Sequence, residues 1–90
     1  MLMKPTAAQV EARKIAERMA RKMLESRTTE SLCQMFEATN HATGCTVEEA
    51  MMRGWIMDEL EKRDAEAFDR WIACTDIKVM DLPSHFFIAA

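Results

Sequence analysis

From Ala50 to Cys74 the chain reads AMMRGWIMDELEKRDAEAFDRWIAC, a stretch with no proline and one glycine that holds both tryptophans and three of the nine methionines. Ala, Met, Leu, Glu, Lys and Arg dominate it, the residues that lose least on entering a helix, and Asp64 is the natural place to interrupt it. The remainder agrees. Across 90 residues there are two glycines, two prolines and no tyrosine, so strands have little to be built from. A chain of this length supports one hydrophobic core, near the lower limit of what folds unaided. The expected fold is all-α: a compact bundle of about four helices in a single domain over residues 1–90, with a long N-terminal helix and a C-terminal tail packed back on the bundle or on a partner.

Capping patterns divide the chain. Pro5 precedes Thr6, and Thr6 with Gln9 forms a capping box, so a first helix is predicted over 6–26. Its apolar residues Ala8, Ala12, Ile15, Met19 and Met23 recur at spacings of three and four, the signature of one buried stripe. Thr28 or Thr29 caps a second helix over 29–42, with Leu32, Met35, Phe36 and Thr39 on one side and Gly44 suited to the left-handed turn beyond it. Thr46 and Glu49 form another capping box at the head of a third helix, 47–63. Asp64 caps a fourth over 65–75, where Phe68, Trp71 and Ile72 face one way and Trp71 can share a core layer with Trp55. The tail, 76–90, reads as weakly extended from the alternation of Ile77 and Val79, and Pro83 turns it back. Phe86, Phe87 and Ile88 favour a docked tail, against the alternative that Ala89 and Ala90 end a detachable tag of the kind bacterial unfolding proteases recognise.

The third helix breaks the amphipathic rule. Val47, Ala50, Met51, Met52, Trp55, Ile56, Met57 and Leu60 cover nearly its whole circumference, so it must be central to the bundle or meet a second molecule on one side. The residues expected to bind that partner are Met51, Met52, Trp55, Ile56 and Arg53. Arg53 can pair with Glu49 one turn earlier, and Gly54 leaves room for another helix to approach. Methionine, flexible and polarizable, suits an adaptable contact surface as well as a core.

Net charge is −3, with 12 Lys and Arg against 15 Asp and Glu, yet the first third is basic and the rest acidic. Arg13, Lys14, Arg18, Arg21 and Lys22 of the first helix could contact phosphates, which makes a DNA-binding regulator the alternative function. The turn at Gly44 followed by VEEAMMRGW does not read as a helix-turn-helix, because its early glutamates would face the DNA.

Chemistry has little to work with. Cys33, His41 and Cys45, with Cys74 or His85 from afar, lack the short ligand spacing of a compact zinc module, and Cys with His occurs only at unrelated positions. Three cysteines are expected as buried or half-buried thiols without a structural disulfide. Asp58, Glu59 and Glu61 interleave with Lys62 and Arg63 as a solvated ion-pair face. No catalytic residue, cofactor or metal is expected. The lysine and proline near the N-terminus interrupt any signal-peptide core, and no run approaches a membrane span, so the expected location is the cytoplasm, away from membranes.

The block TVEEAMMRGWIMDELEKRDAEAFDRWI, residues 46–72, resembles small helical proteins of bacterial chromosomes, plasmids and phages through Arg53, Gly54, Trp55, Leu60, Phe68 and Trp71. The resemblance covers under a third of the chain. It implies an accessory protein of a mobile element, a class of inhibitors, regulators and small DNA-binding factors, and no particular activity. The expected function is therefore a small non-enzymatic adaptor or inhibitor that binds a protein, or its own copy, through an apolar Met- and Trp-rich helical surface.

Overall fold

Four side chains open the four longer helices, each accepting a hydrogen bond from the backbone N–H three residues on: Thr6 from Gln9 at 3.1 Å, Thr28 from Ser31 at 3.0 Å, Thr46 from Glu49 at 3.1 Å and Asp64 from Ala67 at 3.0 Å. At Thr6 and Thr46 the bond is reciprocated by the Gln9 and Glu49 side chains, completing both capping boxes. The computed structural model describes residues 4–41 and 44–88. The helices are α1 (Ala7–Glu25), α2 (Thr29–Glu37), α3 (Val47–Arg63), α4 (Ala65–Ala73) and a short α5 (Ser84–Phe87). Among the described residues there is no strand, and the fold is all-α.

Two boundaries differ from expectation. α2 stops at Glu37, not at residue 42, because its last carbonyls are claimed early: Phe36 O receives the Thr39 hydroxyl at 2.6 Å and the Thr39 N–H at 3.0 Å. The chain leaves in a tightened turn, and Gly44 adopts φ 94° within the loop that follows. The tail is not extended. It turns through residues 77–81 and closes with α5, a fifth helix.

The core is formed by Leu24 of α1, Leu32, Cys33 and Phe36 of α2, Ile56 and Leu60 of α3, and Ala67 and Trp71 of α4. Trp71 is its hub. The rings of Phe36, Phe68 and Phe87 meet it edge to face at centroid distances of 5.0, 6.0 and 6.0 Å, the arrangement that the ring quadrupole favours. Its indole N–H donates to Met80 O at 2.8 Å, which anchors the tail on the same residue. Asn40 donates to Asp81 O at 2.6 Å, Glu37 accepts the Ser84 N–H at 3.0 Å, and Pro83 is fully buried. The tail is therefore docked; Ala89 and Ala90, on which the tag alternative rests, lie outside the described residues.

The two tryptophans do not share a layer. Trp55 points the other way, toward α1, where its indole N–H donates to Glu17 at 2.9 Å. Ile72, expected beside Trp71, is 55% exposed, because α4 presents only the narrower face of Ala67, Phe68 and Trp71 inward.

α1 and α3 run parallel, with partners rising together along both: Glu17 with Trp55, Arg21 with Asp58 at 3.0 Å and Glu25 with Lys62 at 3.6 Å. Arg63 closes this junction. It donates to Leu24 O and Glu25 O at 3.2 Å each, to Thr29 at 3.3 Å and to Glu59 at 2.9 Å, so it satisfies carbonyls that the end of α1 leaves without helical partners. Burial pushes the Glu59 carboxyl toward neutrality, but the hydrogen bonds and charges of Lys62 and Arg63 outweigh it and hold its pKa below the usual range. Glu59 is thus not part of a solvated face.

These contacts fix the rotation of α1 against expectation. The buried or half-buried positions are Glu17, Ala20, Arg21, Met23 and Leu24, while Ala8, Ala12, Ile15 and Met19 face outward. Leu24, one turn before the corner into α2, must enter the core, and Glu17 and Arg21 must reach α3; both demands turn the predicted stripe away. All described residues from Lys4 to Ala16 are exposed: the first half of α1 buries none of them against the bundle, although Arg13 and Lys14 still face Met51 and Trp55 across a cleft. The radius of gyration is 14.9 Å, against about 12 Å for a compact chain of this length.

Candidate interaction surface

α3 explains its own apolar excess by dividing it. One face, Ile56 and Leu60 with Met52 and Trp55 half-buried beside them, packs into the core. The other, over the first two turns, carries Val47 at 72% exposure, Met51 at 42%, and exposed Ala50 and Gly54. At 100° per residue these four lie within about 100° of one another. Among the described residues a methyl group added at Gly54 would meet nothing within 4 Å, so no described helix uses the approach that glycine permits there.

The residues predicted to bind a partner therefore part company. Met51 is on the open face. Met52 and Trp55 are partly buried against the core, and Ile56 is fully buried, which removes it from any surface of the folded chain. Arg53 does not pair with Glu49. Its guanidinium lies 3.9 Å from the centroid of the Phe36 ring and donates to Thr39 at 2.6 Å and Asn40 at 2.9 Å. It closes the end of α2 as Arg63 closes the end of α1, and cation–π attraction adds to the contact. Glu49 instead meets His41 at 2.8 Å; its capping bond with the Thr46 N–H, followed by the His41 contact, holds its pKa below the usual range. Val47, Ala50 and Gly54 complete the face. Their sequence signal was a small residue at i and i+4 beside Met51, which is visible only once the opposite side of α3 is known to be buried.

Met51 also joins this face to a cleft between α1 and α3. Arg13, Lys14 and Glu17 line one wall, Met51 and Trp55 the other. On the other side of Trp55 a second hollow is lined by Arg21, Asp58 and Lys62.

The basic residues of α1 do not form one surface. Arg21 is held by Asp58 and by Glu17 at 3.6 Å, and Arg18 lies 3.9 Å from Glu11. Arg13 and Lys14 both line the α3 cleft. Lys14, Arg18 and Lys22, spaced by four, leave a ridge of three, with Glu11 one turn beyond it.

Among the described residues no three His, Cys, Asp or Glu side chains converge as a metal ion would require. Cys33 is buried, and burial, followed by the nearby charges of Glu37 and Glu30, pushes its thiol up to about 11, so it stays protonated and unreactive. Cys74 is half-buried, whereas Cys45 is exposed, contrary to the expectation of buried thiols; all three are free. No described helix is long and apolar enough to cross a membrane. No protein-family model, curated protein or solved structure matches this chain.

Proposed function

We propose that this protein is a binding module whose α3 face of Val47, Ala50, Met51 and Gly54 receives a helix of another protein. The observation that carries the reading is Gly54: a glycine inside a helix costs about 1 kcal/mol relative to alanine, and here it faces open space within an apolar patch. Ala50 and Gly54, one turn apart, allow a partner backbone to come close, while Val47 and Met51 supply apolar contact on either side. An amphipathic helix laid across such a face is a common mode of recognition. The reading is of an adaptor or inhibitor without chemistry of its own, acting in the cytoplasm, where a reducing compartment keeps the exposed Cys45 thiol free.

The test compares capture from native lysate by wild type, Gly54→Leu and Ile72→Ala. Gly54→Leu fills the approach without touching the core, so a partner retained by wild type and by Ile72→Ala should be lost with it, with no fall in melting temperature. Equal capture by all three would remove the α3 face from the binding site.

The ridge of Lys14, Arg18 and Lys22 supports the alternative of duplex DNA binding, with phosphates as ligands. That reading requires binding that falls steeply with salt and is lost on charge reversal at Lys14 and Lys22.

A further inference from the structure

α1 carries a second unpartnered surface, separate from the α3 face. Ala8, Ala12, Ile15 and Met19 are spaced four, three and four, the repeat of a coiled-coil seam. They lie within about 60° of one another and about 160° from Glu17, Ala20, Arg21 and Leu24, which α1 turns toward its own bundle; Met23, one turn past Met19, continues the stripe into the core. Ala8 and Ala12 are exposed, as are Ile15 at 43% and Met19 at 68%. Ser26 and Arg27 end the helix below, and Lys22 breaks the seam where the bundle begins. Above, a complete capping box at Thr6 and Gln9 starts the helix, and every described residue from Lys4 to Ala16 is exposed. An unsupported helix of that length is marginal. Something that covers the seam would support it.

We propose that the seam is covered by the same seam of a second copy, running antiparallel. In that orientation each layer pairs positions whose numbers sum to 27. Ala8 then faces Met19 of the second copy and Ala12 faces its Ile15, so every layer sets one small side chain against one large and all four layers have similar volume. A parallel pair would instead stack Ala8 on Ala8 and Met19 on Met19, tapering from a gap to a crowd. Charge chooses the same orientation. Glu11 and Arg18 occupy one flank of the seam, both exposed, at 61% and 71% of their side-chain surface. Antiparallel pairing brings Glu11 of each copy beside Arg18 of the other, twice by symmetry; parallel pairing sets Glu11 beside Ala16 and Arg18 beside Met23, with no charge opposite. The bundles stay clear of each other, since each packs on the far face of its own α1 and they hang from opposite ends of the seam. The symmetry is that of a closed dimer. Four layers make a small interface, below about 1,200 Å² in total, so the dimer should be reversible and of about micromolar strength.

The experiment is sedimentation equilibrium of the full chain, with charge swaps and cysteine pairs. Wild type should dimerise. Glu11→Arg alone and Arg18→Glu alone, each putting like charges together at both symmetric contacts, should weaken dimerisation by about tenfold, and the double swap should restore it. In a Cys45→Ser background, Ala8→Cys mixed with Met19→Cys should form the mixed disulfide on oxidation. The 8-to-8 pair of an antiparallel dimer is about 16 Å apart along the axis and should not close. Amides of residues 10–16 should gain hydrogen-exchange protection as concentration rises. A wild type monomeric to millimolar concentration, a double swap no better than either single change, or like-with-like disulfides would each overturn the proposal. Gly54→Leu, on the α3 face, should leave the dimer intact, which keeps the two surfaces distinguishable.

Discussion

The lower bundle around Trp71 and the upper end formed by the first halves of α1 and α3 are built from similar residues but behave as different materials. Both are rich in alanine and methionine and both start from well-made caps. In the lower bundle three helix ends are met by a side chain from elsewhere: Arg63 takes the carbonyls closing α1, Arg53 a carbonyl closing α2, and Glu37 the Ser84 N–H at the start of α5. At the upper end Val47 and Ile15 stand 72% and 43% exposed, and among the described residues no long-range hydrogen bond reaches α1 before Glu17. Apolar content does not make a core. What separates the regions is whether polar cross-links hold the apolar surfaces in register, and the difference marks the upper end as the part left for partners.

Substitutions should act very unequally on the two ends. Trp71→Ala removes the centre of the aromatic cluster and the anchor of the tail, and a buried aromatic lost to alanine costs about 3–5 kcal/mol. That approaches the whole stability of a small domain, so thermal denaturation should show a chain largely unfolded at 37 °C; a cooperative melt within a few degrees of wild type would deny Trp71 its role.

Arg63→Ala comes next. It leaves Glu59, whose side chain is 10% exposed, with Lys62 alone at 3.0 Å, and strips the end of α1 of its donor. Breaking a buried pair costs about 3–5 kcal/mol; with Lys62 retained and Arg63 itself 22% exposed, about 2–3 kcal/mol is expected from urea unfolding. Arg63→Lys should recover little, since an ammonium cannot reach four acceptors in the same fork.

Acid probes the same junction. Glu59 has a folded pKa below its unfolded value, so its stabilising contribution is complete above about pH 4.3 and is lost as pH falls through the depressed folded value. Melting temperature should be level from pH 7 to about 5 and fall below that. Glu59→Gln should start lower at pH 7 and fall less; parallel curves would locate the acid sensitivity elsewhere, Glu49 being the next carboxylate held low.

At the upper end the sign reverses. Gly54→Ala should stabilise the isolated protein by up to about 1 kcal/mol, since the added methyl meets nothing and the unfolded chain loses freedom. In a chain of this size that is a rise of about 4–8 °C. A fall would mean that the space beside Gly54 is occupied in solution, and a second copy on that face would be the first suspect.

The caps show what was legible beforehand and why. Thr6, Thr28, Thr46 and Asp64 each act on a backbone N–H three residues away, so the information needed lies inside one turn of chain. Helix starts and the all-α class followed from such local chemistry and from the scarcity of glycine and proline. The rotation of α1 was not legible. Its best apolar stripe runs through Ile15 and Met19, but the face it buries is set by Leu24 at a corner and by Glu17 and Arg21 meeting α3, partners 37 and 38 residues away.

Arg53 shows the same limit: periodicity offered Glu49, one turn off on the same helix, while the folded chain brought α2's carbonyl end and the Phe36 ring within reach. The candidate site divided along that line too, with Met51 on the surface and Ile56 in the core, because both satisfy the same period and only the neighbours of α3 distinguish its two sides. The sequence by itself determined the four longer helices, where they begin and that they carry more apolar surface than one small core can hide; it did not show α5. Tertiary structure decided which of that surface is hidden, because burial depends on the simultaneous fit of several helices, a property of their arrangement in space that no single helix encodes.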